Sequence, residues 1–395
     1  MKALQIDRSL PRFAAARVAG ALRSGSGARV GPIELADREP PEPPGAGWVP
    51  LRPRLSGICG SDLATIDGAS SRYFEPLVSF PFVPGHEVVA DAPDGRRVVV
   101  EPVLGCVTRG IVPPCPACAR GDLGQCERTA FGELSPGLQT GYCADTGGGW
   151  STGMVAHLSQ LHAVPDGWSD EAAVMVEPSA CAVHAALRAA AEAPLGTVAV
   201  IGAGTVGLLT IAALHHWSPP VTLVAAAKHA DQRRWARELG ADVVVEPAEL
   251  PRAVRRITGS LAVGDQLTGG ADCVLDCVGS EASIQQALAL VRPGGRVLLV
   301  GMPSSVRLQL TTLWHREVRL EGVYAYGTEH LPDGTTRRTF DLAFELVEAA
   351  RLERLVTATY PLARYRDAIE HAADAGRRGA VKVAFDLRGE KERNR

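Results

Sequence analysis

Neither charge sign is in excess in this 395-residue chain: 41 Lys and Arg stand against 44 Asp and Glu, a formal net charge of −3. No strong overall field recruits nucleic acid or an anionic membrane, and small molecules are the expected partners. Long unbroken apolar runs are also missing. The most apolar stretch, Thr197 to Leu214, is interrupted by Gly202, Gly204 and Gly207 and ends in His215 and His216, so it is not read as a membrane span. The first residues lack the apolar core of a secretory signal. Arg8, Arg12, Arg17 and Arg23 among alanines resemble a transit segment only faintly, and residues 1–6 read as a first strand, so a cytoplasmic location is the expectation. Nine cysteines in so long a chain are no disulfide framework, and several stand at metal-ligand spacing, which implies reduced thiols.

What is present divides into two textures, as the length of about two domains suggests. Before Trp168, short apolar runs such as Val98-Val99-Val100 are broken by Gly and Pro, a β-rich and loop-rich pattern. After Glu177, helical patterns alternate with buried-strand runs at 198–201, 221–225, 242–245, 273–276 and 297–300. Strands without polar alternation, spaced by helices, predict a parallel sheet covered on both faces. A further helix is predicted over 340–350, a last strand over 381–385, and a charged tail with nothing to bury over 388–395.

The run at 198–201 leads into Gly202-Ala203-Gly204-Thr205-Val206-Gly207 and then an apolar helix. In this context the first glycine makes a tight turn, the second lets backbone approach a pyrophosphate, and the third lets helix pack on strand. Free amides at the helix start then bind phosphate. An acidic residue normally ends the second strand and binds the ribose 2′-hydroxyl. Here Ala227, Lys228 and Arg233 occupy that region, with Arg234 beside them, so NADP(H) is expected to be preferred over NAD(H).

Gly57-Ile58-Cys59-Gly60-Ser61-Asp62 and Pro84-Gly85-His86-Glu87 supply a thiolate and an imidazole, ligands that zinc favours; a catalytic zinc takes three protein ligands and keeps one position open. The third ligand is Glu177, placed where the β-rich region ends, or Glu87, which otherwise tunes the metal from beside it. Cys115, Cys118 and Cys126, with Cys106 before them, make a closed four-thiolate set, which is structural in character. Cys181 and His184 follow Glu177 on one helix and are read chiefly as packing residues.

Together these residues resemble the zinc-dependent alcohol dehydrogenases of the medium-chain dehydrogenase/reductase superfamily along nearly the whole chain. Cys59, His86-Glu87, the cysteines of 115–126, Glu177, the 202–207 loop, Asp276-Cys277-Val278-Gly279 and Val300-Gly301 follow the family's order. The resemblance implies an α/β protein: a GroES-like β-rich catalytic domain, residues 1–177 and 327–395, with a structural-zinc lobe, and an inserted doubly wound parallel-sheet Rossmann domain, residues 178–326. It implies a homo-oligomer, dimer or tetramer. Glu177-Pro178 resembles the polyol and threonine dehydrogenase branches, Val278 and Gly301 match cofactor-contacting positions, and Lys382 matches a position that often carries a pyrophosphate-binding cation.

The chain departs from the family in three places. The first cysteine of the lobe falls on Val112, so Cys106 must substitute; the relay histidine that follows the proton-accepting hydroxyl, here Ser61, falls on Ala64; and residues 10–30 and 59–86 are longer than usual. The expected reaction is hydride transfer between a nicotinamide and an alcohol or carbonyl compound, with zinc as Lewis acid and Ser61 relaying the proton. A zinc-free quinone or enoyl reductase is the rival enzyme, and it lacks the Cys59 and His86-Glu87 pair. A non-catalytic NADP-binding relative is the rival from another class; Ala64 favours it and the intact metal set opposes it.

Overall fold

The computed structural model describes residues 1–191, 195–264, 266–331 and 333–389. The chain forms two compact units, one of Met1–Glu177 with Arg351–Arg395 and one of Pro178–Ala350. Residues 327–350, expected to return to the first unit, instead belong to the second. The reason is packing: helix Thr339–Ala350 buries Phe340, Leu342, Ala343, Leu346 and Val347 and lies against helix Thr205–Trp217.

The second unit is built on six parallel strands in the order Val243–Val245, Thr222–Ala226, Thr197–Ile201, Ala271–Asp276, Val291–Leu299 and Arg319–Gly322. Chain order reverses between Thr197–Ile201 and Ala271–Asp276, the switch point at which doubly wound sheets bind ligands beyond the carboxyl ends of their strands. Val198, Ala199, Val200, Val274 and Leu275 are wholly buried, which explains why these strands show no polar alternation. Helix Glu281–Leu290 starts at Ser280, whose hydroxyl accepts from Ser283 N. The edge strand Arg319–Gly322 was not legible, because its four residues are short and mostly polar.

The first unit centres on a seven-stranded sheet. Its long strand Trp48–Gly57 pairs along its first half with Met154–His157, and along its second half with Val88–Asp91 and Lys382–Asp386. The second half therefore brings Gly57, Val88 and Lys382 together from three distant stretches of sequence. Residues 10–30 form helix Leu10–Leu22 and the short helix Gly27–Val30, fastened by Asp67, which accepts from Gly25 N at 2.8 Å and Gly27 N at 2.9 Å. Ala16 is fully buried, so this segment packs as part of the folded unit. Arg388 is likewise no solvated tail, since it pairs with Asp386 at 2.7 Å and Glu171 at 3.1 Å; residues 390–395 lie outside the described residues. Among the described residues, no helix is long and apolar enough to cross a membrane.

One close approach decides how the second unit's loop is built. A Cβ on Gly207 would stand 1.9 Å from the carbonyl oxygen of Gly202, itself at φ +91°, so helix and strand meet only through glycine. Gly207→Ala should therefore cost about 1–3 kcal/mol of stability through overpacking. Denaturant unfolding checks this, and an unchanged midpoint would show that the loop has room.

Candidate active site

The long strand ends at Gly57 and the chain passes through Ile58 to Cys59, which precedes helix Gly60–Ile66. Asp62, three residues on and 2% exposed, accepts from Cys59 N at 2.9 Å and so fixes the turn that presents the cysteine. His86 and Glu87 precede strand Val88–Asp91 and are 4% and 1% exposed. Donor atoms of Cys59, His86 and Glu87 all lie within 4.8 Å of one another.

Three ionisable groups gathered in so dry a place need compensation. Lys382 provides part of it: its ammonium pairs with Glu87 Oε2 and donates to Ile58 O at 3.2 Å. Burial works against this ammonium, yet Glu87 and Cys59 hold it charged and raise its pKa. Burial also disfavours the His86 imidazolium, but Asp62, with Oδ1 3.5 Å from His86 Nδ1, and Cys59 outweigh it and raise that pKa well above the ordinary value. Both raised pKa values say that the pocket favours positive charge. The near partner of His86 Nδ1 is Asp62 Oδ1 and that of Glu87 Oε2 is the Lys382 ammonium, so both buried atoms already face a charged group. The backbone is shaped to the same end, for a Cβ on Gly57 would meet Glu87 Oε2 at 1.8 Å and Lys382 Cε at 2.7 Å.

Two of the expected positions, Glu177 and Lys382, stand apart from the roles read for them. Glu177 is buried at 5% exposure but is not within the 4.8 Å donor group, where Glu87 stands in its place. The carboxylate adjacent in sequence to His86 needs no long-range placement to reach the same point. Lys382 is not a free cation for a pyrophosphate, because it is 1% exposed and its charge is committed to Glu87.

Ser61 is half-buried in the first turn after Cys59, and its carbonyl accepts from Thr65 Oγ1 at 2.9 Å. Thr65 Oγ1 also lies 3.0 Å from Ser70 Oγ. Tyr142 was not foreseen. Its hydroxyl lies 3.4 Å from Asp62 Oδ1, its ring is 5.9 Å from that of His86, and burial pushes the phenol's pKa up. Asp62 had a local signal, an acid three residues after a turn cysteine, whereas Tyr142 arrives from 80 residues away with none.

The second cluster joins Cys106, Cys115, Cys118 and Cys126, again with all donor atoms within 4.8 Å. No sulfurs are bonded to each other; Cys106 Sγ and Cys126 Sγ are 3.8 Å apart. That separation is about the edge of a tetrahedron of sulfurs at ~2.3 Å from a zinc. Each sulfur faces at least one backbone N–H: Cys115 N to Cys106 Sγ, Cys106 N to Cys118 Sγ, Cys118 N to Cys115 Sγ and Arg128 N to Cys126 Sγ, at 3.3–3.5 Å. Burial pushes the Cys115 thiol up, but N–H donors from Cys118 and Glu127 bring it down to about 6; burial pushes Cys118 and Cys126 up. One thiolate forms readily, and the rest need a cation to share.

In the second unit, Gly202 to Gly207 lie between strand Thr197–Ile201 and helix Thr205–Trp217, with Gly204 exposed at the helix start. Val278 reaches over this turn, since a Cβ on Gly202 would stand 2.5 Å from Val278 Cγ2. Buried Asp276 holds Val278 N at 2.9 Å and Ser283 Oγ at 3.0 Å, while its carbonyl takes Gly301 N at 2.8 Å. Gly202, Val278 and Gly301 thus meet at the carboxyl ends of their strands. Ala227 is buried and Lys228 exposed, with no ion pair among the described residues. Arg233 is partly committed: it donates to Ala227 O and Lys228 O at 3.1 and 3.0 Å and pairs with Glu246 at 3.2 Å. His184 bonds Glu329 at 2.6 Å, an internal contact of this unit.

Comparison with known proteins agrees with this arrangement. Residues 45–166 match the alcohol dehydrogenase GroES-like domain and residues 205–348 the zinc-binding dehydrogenase domain. An L-idonate 5-dehydrogenase of Vitis vinifera is 28% identical over 86% of this chain and 88% of its own length. A sorbitol dehydrogenase of Bacillus subtilis is 28% identical over 80% of this chain and 84% of its own. The solved structure of an alcohol dehydrogenase from Thermus superposes with a TM-score of 0.70 at 24% identity, covering 98% of this chain and all of that one, a likeness of fold.

Removing one member of the Glu87–Lys382 pair tests how the pocket is held. Lys382→Met should destabilise the first unit by about 3–5 kcal/mol, the cost of a buried ion left unpaired. The double variant Lys382→Met with Glu87→Gln should recover most of it. Chemical unfolding of both variants decides, and equal losses would show that the pair's charge is immaterial.

Proposed function

The chain belongs to the zinc-dependent alcohol dehydrogenases of the medium-chain dehydrogenase/reductase superfamily, in the polyol dehydrogenase-like branch, and on that premise we propose that it oxidises a secondary hydroxyl of a polyhydroxylated small molecule, or reduces the matching ketone. It is a zinc-dependent, nicotinamide-linked oxidoreductase acting on alcohols. The observation that carries the finer reading is the donor set of Cys59, His86 and Glu87, one sulfur, one imidazole and one carboxylate. Likeness to the sorbitol and L-idonate enzymes over most of the chain supports the substrate class.

When bound, zinc supplies Lewis acidity to the substrate oxygen and the nicotinamide accepts or gives the hydride. Cys59, His86 and Glu87 would hold the metal and leave a position open. Asp62 orients Cys59 through its backbone and His86 through its ring, and Lys382 offsets one negative charge of the set. Ser61 takes the substrate proton. With Ala64 in place of a histidine, hydroxyls are the groups at hand to pass it on; Thr65 and Ser70 bond each other at 3.0 Å beside it. The 202–207 loop, with Thr205 and Val206 at the helix start, would receive the pyrophosphate, and Val278 and Gly301 would border the cofactor. Cys106, Cys115, Cys118 and Cys126 would hold a second, structural zinc.

We read the cofactor as NADP(H) in preference to NAD(H). Ala227 brings no carboxylate to repel a 2′-phosphate, and Lys228 is exposed beside it. Arg233 contributes less than the sequence suggests, since Glu246 already pairs with it.

Steady-state oxidation of acyclic polyols and simple primary alcohols, followed by absorbance of the reduced nicotinamide, tests the substrate class. Polyols should exceed ethanol in kcat/KM by about tenfold or more, and Cys59→Ala should lower turnover on all of them by roughly 10³-fold or more, as loss of a Lewis acid implies. A variant that keeps its activity would remove zinc from the reaction, and an enzyme indifferent to added hydroxyls would remove the polyol assignment.

For the cofactor, kcat/KM with NADP should exceed that with NAD by about tenfold, the lower end for charged hydrogen bonds to a phosphate, because Lys228 is solvent-exposed. Ala227→Asp should reverse the ratio. A wild type that favours NAD, or a ratio that the substitution leaves unchanged, would contradict the assignment.

A further inference from the structure

Arg109 stands in the loop between Cys106 and Cys115 and is completely buried. Its Nε donates to Leu104 O at 3.1 Å, its Nη1 to Phe131 O, Leu134 O and Ser135 O at 3.1, 3.2 and 3.3 Å, and its Nη2 to Gly137 O. All five acceptors are backbone carbonyls, and among the described residues no carboxylate lies within ion-pair distance. Asp145, the nearby acid, is turned to Ser135, taking its N–H at 2.6 Å and its hydroxyl at 3.0 Å.

Carbonyl dipoles solvate a guanidinium but bring no net charge, and a buried ion without a counter-charge costs several kcal/mol. Burial accordingly lowers the pKa of Arg109, against the pull of Cys143, Cys126, Asp145 and Cys106. The Cys143 thiol is itself pushed up by burial and stays neutral. The anions in reach of Arg109 are Asp145, which is bonded to Ser135, and the clustered sulfurs, of which Cys126 and Cys106 act on it; four thiolates around a divalent cation keep two net negative charges.

We propose that Arg109 is the counter-cation of the lobe's metal and that the two bind as a linked pair: zinc makes the buried guanidinium tolerable, and the guanidinium makes the tetrathiolate tolerable. This rests on the reading that the lobe holds zinc. Linkage is reciprocal, so whatever Arg109 adds to zinc affinity, zinc adds to the stability of the loop that Arg109 ties together. The carbonyls it gathers, from Leu104 to Gly137, flank the whole lobe, so metal loss should open the segment and not leave an empty cage. The same arrangement gives Cys106 a reason to serve where Val112 stands at the family's position. Cys106 O accepts from Arg109 N at 3.1 Å, which places ligand and counter-cation in one turn.

The test uses the full-length zinc-loaded protein and its Arg109→Met and Arg109→Lys variants. Zinc content is measured by elemental analysis, zinc transfer by a chromogenic chelator, and melting before and after removal of the lobe zinc by calorimetry. Arg109→Met should release that zinc about 10–100-fold more readily, the usual effect of losing a partner just outside the ligands. Its loaded and demetallated forms should also melt closer together than those of the wild type. Arg109→Lys, which keeps the charge with fewer donors, should hold zinc nearly as well as wild type.

Lys and Met variants that lose zinc equally would assign Arg109 to hydrogen bonding alone and overturn the proposal. A wild type with two zincs and an Arg109→Met variant with unchanged release would overturn it too, leaving the structural-zinc reading intact. A wild type with one zinc, insensitive to Cys115→Ser, would overturn the structural-zinc reading itself. If Arg109→Met accumulates unfolded, refolding in excess zinc decides, with recovery supporting the linkage and its absence at every concentration overturning it.

Discussion

The constraint on which the catalytic unit depends is the need to keep charge in a place that water does not reach. Cys59, His86, Glu87, Asp62 and Lys382 are drawn together where three strands of one sheet end or begin, and four of the five are at most 4% exposed. No single member is tolerable there alone. Lys382 needs Glu87, His86 needs Asp62, and the whole set favours a further cation. Much of the surrounding backbone follows from this, including the absence of a side chain at Gly57 and the turn that Asp62 fixes ahead of helix Gly60–Ile66.

The same rule operates in the cysteine lobe with the signs arranged differently. There the protein supplies four sulfurs, each facing at least one N–H donor, and a buried guanidinium wrapped in carbonyls. In the second unit a wholly buried charge is Asp276, which satisfies itself on Val278 N, Gly279 N and Ser283 Oγ. That carboxylate shapes a turn instead of binding a metal, because N–H and O–H groups already meet it. Whether a buried ion implies a ligand therefore depends on what its own chain has provided.

How much of this was legible in the sequence depended on distance along the chain. The glycine loop, its strand and its helix are contiguous, so the dinucleotide fold could be read directly, as could the pairing of Cys59 with His86. Most element ends moved by a residue or two, but the strand expected over 297–300 begins six residues earlier, at Val291, and the edge strand Arg319–Gly322 escaped notice because it is polar. The choice between Glu87 and Glu177 rests on angstroms that spacing does not encode, and of the two it is Glu87 whose donor atom lies with those of Cys59 and His86. Lys382 was assigned to a phosphate because its partner Glu87 lies nearly 300 residues earlier. Arg109 looked like any loop arginine, and only its five carbonyl partners, gathered from 104 to 137, reveal a buried ion.

The central claim is that the buried set of Cys59, His86 and Glu87 is a zinc centre. Crystals of the full-length protein, with diffraction recorded just above and just below the zinc absorption edge, locate the metal without reference to activity. A dispersive peak is expected, bounded by Cys59 Sγ, a nitrogen of His86 and a carboxylate oxygen of Glu87, within the ~2.0–2.3 Å typical of zinc ligands. A peak bounded by Glu177 with Glu87 left on Lys382, or no peak beside Cys59 in protein purified with its metal, would contradict it.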